Sequence, residues 1–153
     1  MRSTDFIPTF TIVMGGAGSG KNYYIEHNPS LGRAKLIDVD QVKQTVSLDA
    51  AIKMIKPMLE QAFQAKESVV HPTTGSNLKG QLNKIALARQ YDYKVHLILV
   101  VTDPERAAKQ VQQRVASGGH GVEADKIASS NQKARENFEE LKNHVDKFSV
   151  VTN

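Results

Sequence analysis

Between Gly15 and Ile25 the sequence reads GGAGSGKNYYI. Gly15, Gly20 and Lys21 keep the spacing of a phosphate-binding loop, G-x-x-x-x-G-K followed by Ser or Thr. Glycines there let backbone N–H groups converge on phosphate oxygens, and a helix starting after the loop adds a favourable dipole. Gly15, Gly16, Ala17, Gly18, Ser19, Gly20, Lys21 and Asn22 are therefore the expected nucleotide-contacting residues. Lys21 acts among them as a point charge on the terminal phosphates. Asn22 stands where a hydroxyl normally holds magnesium. An amide oxygen can replace that hydroxyl, because magnesium keeps several waters and leans on the substrate phosphates. Asn22 is thus the candidate Mg2+ ligand, and the opposite reading is a loop that has lost its metal.

Three further groups of residues follow, two at the expected ends of strands and one at the end of a helix. The run IDVD places Asp38 and Asp40 where ligands bind in open α/β sheets, beyond the carboxyl ends of the strands. A carboxylate at that mouth can take the proton of an attacking hydroxyl, while one of the pair caps the next helix. The run HPTTGSN offers His71, Thr73 and Thr74 to a polar acceptor, with Ser76 or Asn77 suited to cap a helix. The run RVASGGHG puts Arg114 ahead of a glycine-rich segment, and an arginine on a closing lid can neutralise charge on a transferring phosphoryl group. A surface arginine at a helix end is the competing reading.

The elements that would position these groups alternate along the chain. Apolar runs at Thr9–Gly15, Ala34–Asp40, Ser68–His71, Lys94–Thr102 and Phe148–Thr152 read as five strands. Helical spacing covers Asp49–Lys66, with Pro57 as a kink or break, and Asn77–Tyr91. Asp103 followed by Pro104 opens a helix reaching Ala116, and a last helix runs from about Glu123 to Val145. Strands alternating with helices predict an α/β fold with a mainly parallel five-stranded sheet between helical layers. The chain has 153 residues, so one domain over 1–153 is expected. It contains no cysteine, which removes disulfides and thiolate metal sites and fits a cytoplasmic setting. No segment approaches the length of a membrane span, so no membrane partner is expected. A net charge of +4 leans toward an anionic partner.

The ordered set GGAGSGK, LIDVD, a strand with Thr two residues on, and R-x-x-x-GGH-G-V resembles the zeta-toxin-like P-loop kinases. These are related more distantly to 5′-hydroxyl polynucleotide kinases. The resemblance runs from Phe10 to Thr152. It implies a three-layer P-loop NTPase fold of the nucleoside-kinase kind, with a short lid over about 114–126. It also implies ATP or GTP as phosphoryl donor with Mg2+, Asp40 as base, Lys21 as phosphate clamp and Arg114 as lid arginine. Asp38, Lys43, His71, Thr73, Thr74, His120 and Arg135 become the expected acceptor-binding residues.

The sequence departs from the family at three places. Lys43 replaces the arginine of D-x-x-R, keeping charge but losing bidentate geometry. His71 stands where the family carries an acid. Ser130 stands where a second lid arginine is common, with Lys133 or Arg135 nearby to replace it. The acceptor expected is a hydroxyl on a nucleic acid or nucleotide-like molecule, such as a modified DNA base or strand end. A nucleotide sugar or other small molecule is the alternative, and a nucleotide-binding regulatory protein without turnover is another. The oligomeric state is not legible in the sequence.

Overall fold

The structure, a computed structural model, describes residues 7–16, 19–101, 105, 109, 112 and 124–152, with backbone only over 124–128. Five strands form one sheet: β1 (Thr9–Met14), β2 (Lys35–Leu36), β3 (Val69–Thr73), β4 (Lys94–Val101) and β5 (Lys147–Thr152). Their order is β2-β3-β1-β4-β5, and every pairing is parallel. The first strand therefore lies at the centre, flanked by two strands from much later in the chain. Helices α1 (Lys21–Glu26) and α2 (Pro29–Gly32) follow β1, and α3 (Val39–Val42) and α4 (Leu48–Gln64) follow β2. Helix α5 (Leu78–Gln90) links β3 to β4, and α6 (Ala124–Leu141) precedes β5.

Side-chain alternation along the strands sorts the core into two layers. On one face Phe10, Ile12 and Met14 of β1 pack with Leu97 and Leu99 of β4. Ile55, Leu59 and Phe63 of α4, Ile85 of α5 and Phe138 and Leu141 of α6 cover them. On the other face Val13, Val70 and Val100 pack against Ile25 of α1 and Leu31 of α2. Phe10, Ile12, Leu59, Phe63 and Leu97 have no exposed surface. Burying each such side chain is worth about 1.5–3 kcal/mol.

Several local expectations change in detail. The strand expected over Ala34–Asp40 pairs only at Lys35 and Leu36, because the chain turns into α3 at Val39. Helix α4 runs unbroken through Pro57. Its N-cap is Ser47, whose Oγ accepts from the Ala50 N–H at 3.2 Å. For α5 the cap is Asn77, whose Oδ1 accepts from the Gly80 N–H at 3.0 Å. The last helix ends at Leu141 and passes into a 3-10 turn over Lys142–His144. Of the helix expected over 103–116, Glu105, Lys109 and Gln112 are described, and all three are helical. The expected lid, with Arg114 and His120, lies outside the described residues except for the start of α6.

Candidate functional site

The phosphate loop leaves the central strand at the point where the sheet's order reverses, the place where open α/β sheets bind ligands. The Gly15 N–H donates to the Thr73 carbonyl at 3.2 Å, extending the β1–β3 ladder by one step. The Ser19 N–H donates to the Gly16 carbonyl at 3.1 Å, which turns the chain back. Gly20 caps α1 with φ of 91°, a left-handed conformation that glycine adopts without strain. Gly15 and Gly16 are glycines for a different reason. A Cβ on Gly15 would stand 2.7 Å from the Val100 carbonyl oxygen, and one on Gly16 would stand 2.6 Å from the backbone nitrogen of Asn131. The loop is thus pressed against β4 and the backbone of α6. Ala17 and Gly18 lie outside the described residues.

Lys21 begins α1 and folds back over the loop, its Nζ donating to the Gly15 carbonyl at 2.9 Å. Burial pushes its ammonium below the ordinary value, while Asp40 and then Asp38 pull it up. Both aspartates are therefore electrostatic neighbours of the phosphate-loop lysine. Asn22 follows on the exposed side of the same turn.

The two aspartates take different positions because α3 starts between them. Asp38 is buried, and its Oδ1 accepts the Asp40 N–H at 3.0 Å as the helix cap. Burial raises its carboxyl above the usual range; the bond from Asp40 opposes this, and the Asp40 charge adds to it. Asp40 projects outward with its side chain 69% exposed and pairs with Lys43 at 3.1 Å. An exposed pair of this kind is worth well under about 1 kcal/mol, so Asp40 is held loosely enough to meet an acceptor.

His71 does not sit where a polar acceptor could reach it. Its side chain is fully buried and stacks on Phe10, and both ring nitrogens are engaged inside the chain. Nδ1 donates to the Ile37 carbonyl at 2.7 Å, and Nε2 accepts from Lys84 Nζ at 2.8 Å. The reason lies one residue on. In the parallel register Ile37 donates to the Val70 carbonyl, and its own carbonyl would next accept from residue 72. That residue is Pro72, which has no N–H. The imidazole supplies the missing donor. Burial, then the Lys84 charge, pushes His71 down to about 3, so the ring stays neutral. Burial likewise lowers Lys84 to about 8.

Thr73 is half-buried at the end of β3, where its Oγ1 accepts from the Gly75 N–H at 3.3 Å and from Gln81 Nε2 at 3.4 Å. Thr74 is exposed, its Oγ1 3.1 Å from Ser76 Oγ. Gly75 turns the chain at φ of 74°, and a Cβ there would collide with the Met14 side chain. Asn137 Nδ2 donates to the Gly75 carbonyl at 2.7 Å. One helix thus braces two loops: α6 meets the phosphate loop at Asn131 and the β3 loop at Asn137. Arg135 and Lys133 are exposed on that helix.

Sequence reasoning passed over Lys84, Gln81, Asn131 and Asn137. The available signal was position: residues 81, 85 and 88 form the inward stripe of α5, and residues 131, 134, 138 and 141 that of α6. A polar residue on or beside such a stripe needs a partner.

For magnesium, the available oxygens are the Asn22 amide, exposed at the exit of the loop, and the Asp38 carboxylate close to Lys21. Oxygen donors beside a phosphate loop are the set this ion takes together with phosphates and waters, so the residues fit it. Among the described residues no group of three or more His, Asp or Glu is placed to hold a metal by itself. Among them, too, no helix is long and apolar enough to cross a membrane.

A parallel sheet of this order, with a glycine loop after the central strand and a lysine opening the next helix, defines a P-loop fold of the kinase kind. The chain belongs to the AAA_33 family, described as an AAA domain, which matches residues 10–141. No curated protein matches the sequence. Among solved structures, one from the PezAT chromosomal toxin–antitoxin system of Streptococcus pneumoniae aligns with a TM-score of 0.71 at 17% identity. That alignment covers 96% of this chain and 69% of the other. One from the Pnkp1/Rnl/Hen1 RNA repair complex aligns at 0.74 and 14% identity, covering 92% and 49%. One of AvrRxo1-ORF1:-ORF2 with ATP aligns at 0.70 and 16% identity, covering 92% and 51%. This chain spans about half the length of the latter two. The fold is one that these structures share with this chain.

Proposed function

We propose that the protein is a magnesium-dependent kinase. It moves the γ-phosphoryl group of ATP or GTP to a hydroxyl of a nucleic-acid or nucleotide-like acceptor. The observation that supports this reading is that Lys21 folds over the loop onto the Gly15 carbonyl while the charges of Asp40 and Asp38 stabilise its ammonium. Lys21 exchanges the Gly15 carbonyl for the terminal phosphates. Asp40 accepts the acceptor's hydroxyl proton as its oxygen bonds to the γ-phosphorus and the bridge to the β-phosphate breaks. The products are the phosphorylated acceptor and the nucleoside diphosphate, and the proton passes to solvent. Arg114 neutralises charge on the moving group. Asn22 would hold magnesium, which when bound supplies charge neutralisation on the nucleotide phosphates.

The net charge of +4 and the likeness to an RNA repair complex support a polyanionic acceptor. The resemblance of the motifs to the zeta-toxin-like kinases supports the second reading, a small nucleotide-sugar acceptor. Transfer of γ-labelled phosphate into separate pools of modified DNA, oligonucleotides and nucleotide sugars tests both. Label above the Lys21→Ala control is expected in the nucleic-acid pools. Label confined to nucleotide sugars selects the second reading. Nucleotide binding with no labelled pool overturns the kinase reading and leaves a binding protein.

A further inference from the structure

Away from the phosphate loop, α4 and α5 enclose a groove of about 500 Å³. Volumes of 300–1,000 Å³ are those that hold small ligands. Its lining includes Ile52, Ile55 and Leu59 from α4 and Leu87 from α5, with Lys56 and Lys84 among them. Ile52 is 55% exposed, although Ile55 and Leu59, one and two turns on, are buried.

Lys84 gives the groove its chemistry. Its ammonium has three N–H donors, and the partner seen is a neutral imidazole nitrogen, His71 Nε2. None of the ion pairs among the described residues involves Lys84. Glu60 also lines the groove without pairing to it. A cation so placed is destabilised by burial, and among the described residues no carboxylate pairs with it to offset that cost. It remains cationic at neutral pH, since its value falls only to about 8.

We propose that the α4–α5 groove is a binding site for a small amphipathic carboxylate. The hydrocarbon lies along Ile52 and Leu87, over the buried Ile55 and Leu59, and the carboxylate meets the Lys84 ammonium. The site stands whether or not the chain transfers phosphate, because none of its residues belongs to the phosphate-loop mouth. Octanoate is a suitable probe, 1-octanol its neutral counterpart, and titration calorimetry with amide NMR the readout. Octanoate is expected to bind one per chain, at least tenfold more tightly than octanol, with shifts concentrated on α4 and α5. Lys84→Met removes the preference for octanoate while octanol still binds. Ile52→Glu changes an exposed side chain, so folding is retained, and it weakens octanoate at least tenfold by placing a like charge at the rim. Equal affinity for acid and alcohol overturns the proposal, as does octanoate binding unchanged in Ile52→Glu. Concentration-dependent dimerisation lost in Ile52→Glu also overturns it, because the groove then belongs to a second copy of the chain.

Discussion

Asp38 and Asp40 are two residues apart, yet the chain gives them different tasks. Asp38 holds the first turn of α3 and is buried; Asp40 faces solvent with Lys43. Asn at position 38 would still cap, so Asp38→Asn should cost a few tenths of a kcal/mol in stability. In the proposed reaction Asp40→Asn should lower phosphate transfer by about 100-fold or more with the fold intact. Single-turnover transfer and thermal melting of the two variants check this; near-normal transfer in Asp40→Asn removes it as the base. The magnesium assignment is tested at Asn22. Asn22→Ser should hold or raise activity at low magnesium, and Asn22→Ala should need a higher concentration for half-maximal transfer. A magnesium titration unchanged in both variants removes position 22 from the ligand set. At this scale the sequence was informative where chemistry depends on spacing, as in the glycine loop. It misled at His71, whose alternation with Val69 already put it on the inward face beside Phe10. The consequence of Pro72 for the neighbouring carbonyl needs the register of β2 on β3, which one strand cannot reveal.

Among the elements, α6 and β3 do more for the site than their sequences announce. Gly16→Ala would drive a Cβ into the backbone of α6 at Asn131, where no side-chain rotation gives relief. Overpacking of this kind costs roughly 1–3 kcal/mol and should weaken ATP binding together with the urea midpoint. If ATP affinity is unchanged, the brace is not part of the site. Pro57 lies in the interior of α4, on an exposed side, and withholds one helical N–H. Pro57→Ala should therefore raise the stability, by up to about 3 kcal/mol if the backbone relaxes to a regular helix, which a urea midpoint at higher concentration would show. The existence and order of the long elements were legible, since their periodicity reflects the same two faces that the core buries. The shortness of β2 was not: LIDVD has a strand-like run, but Asp38 spends its side chain on a helix cap after two paired residues. The contact of α6 with the loops joins residues far apart in the chain, so no local pattern carries it.

For the molecule as a whole, the His71–Lys84 pair sets how stability depends on pH. His71 titrates at about 3 when folded against 6.5 in the open chain. Below pH 6.5 the unfolded chain takes up a proton that the folded one refuses, so stability falls as pH drops from 6.5 toward 3, by about 1.4 kcal/mol per unit. Lys84 titrates at about 8 against 10.5, so its ammonium opposes folding most below pH 8 and stability climbs as pH rises from 8 to 10.5. Urea unfolding at pH 7 and pH 4.5 should show the acid loss, and His71→Gln should flatten it, since an amide cannot titrate. An equal acid loss in the variant would remove His71 as its source; Asp146, which the Val95 N–H and Arg89 hold below the usual range, loses its contribution only at lower pH still.

The central place of β1 has a consequence during synthesis. Phe10 pairs with Val69 on one side and Val95 on the other, so the strand that carries the phosphate loop leaves the ribosome long before either neighbour. An edge strand could dock onto a partly made sheet, but this one is an apolar segment without partners until β3 has emerged, and one of its edges stays open until β4 follows. Nascent chains stalled before residue 94 should not retain ATP, and those stalled well after residue 141 should. The need for shielding by a chaperone should be confined to the interval between.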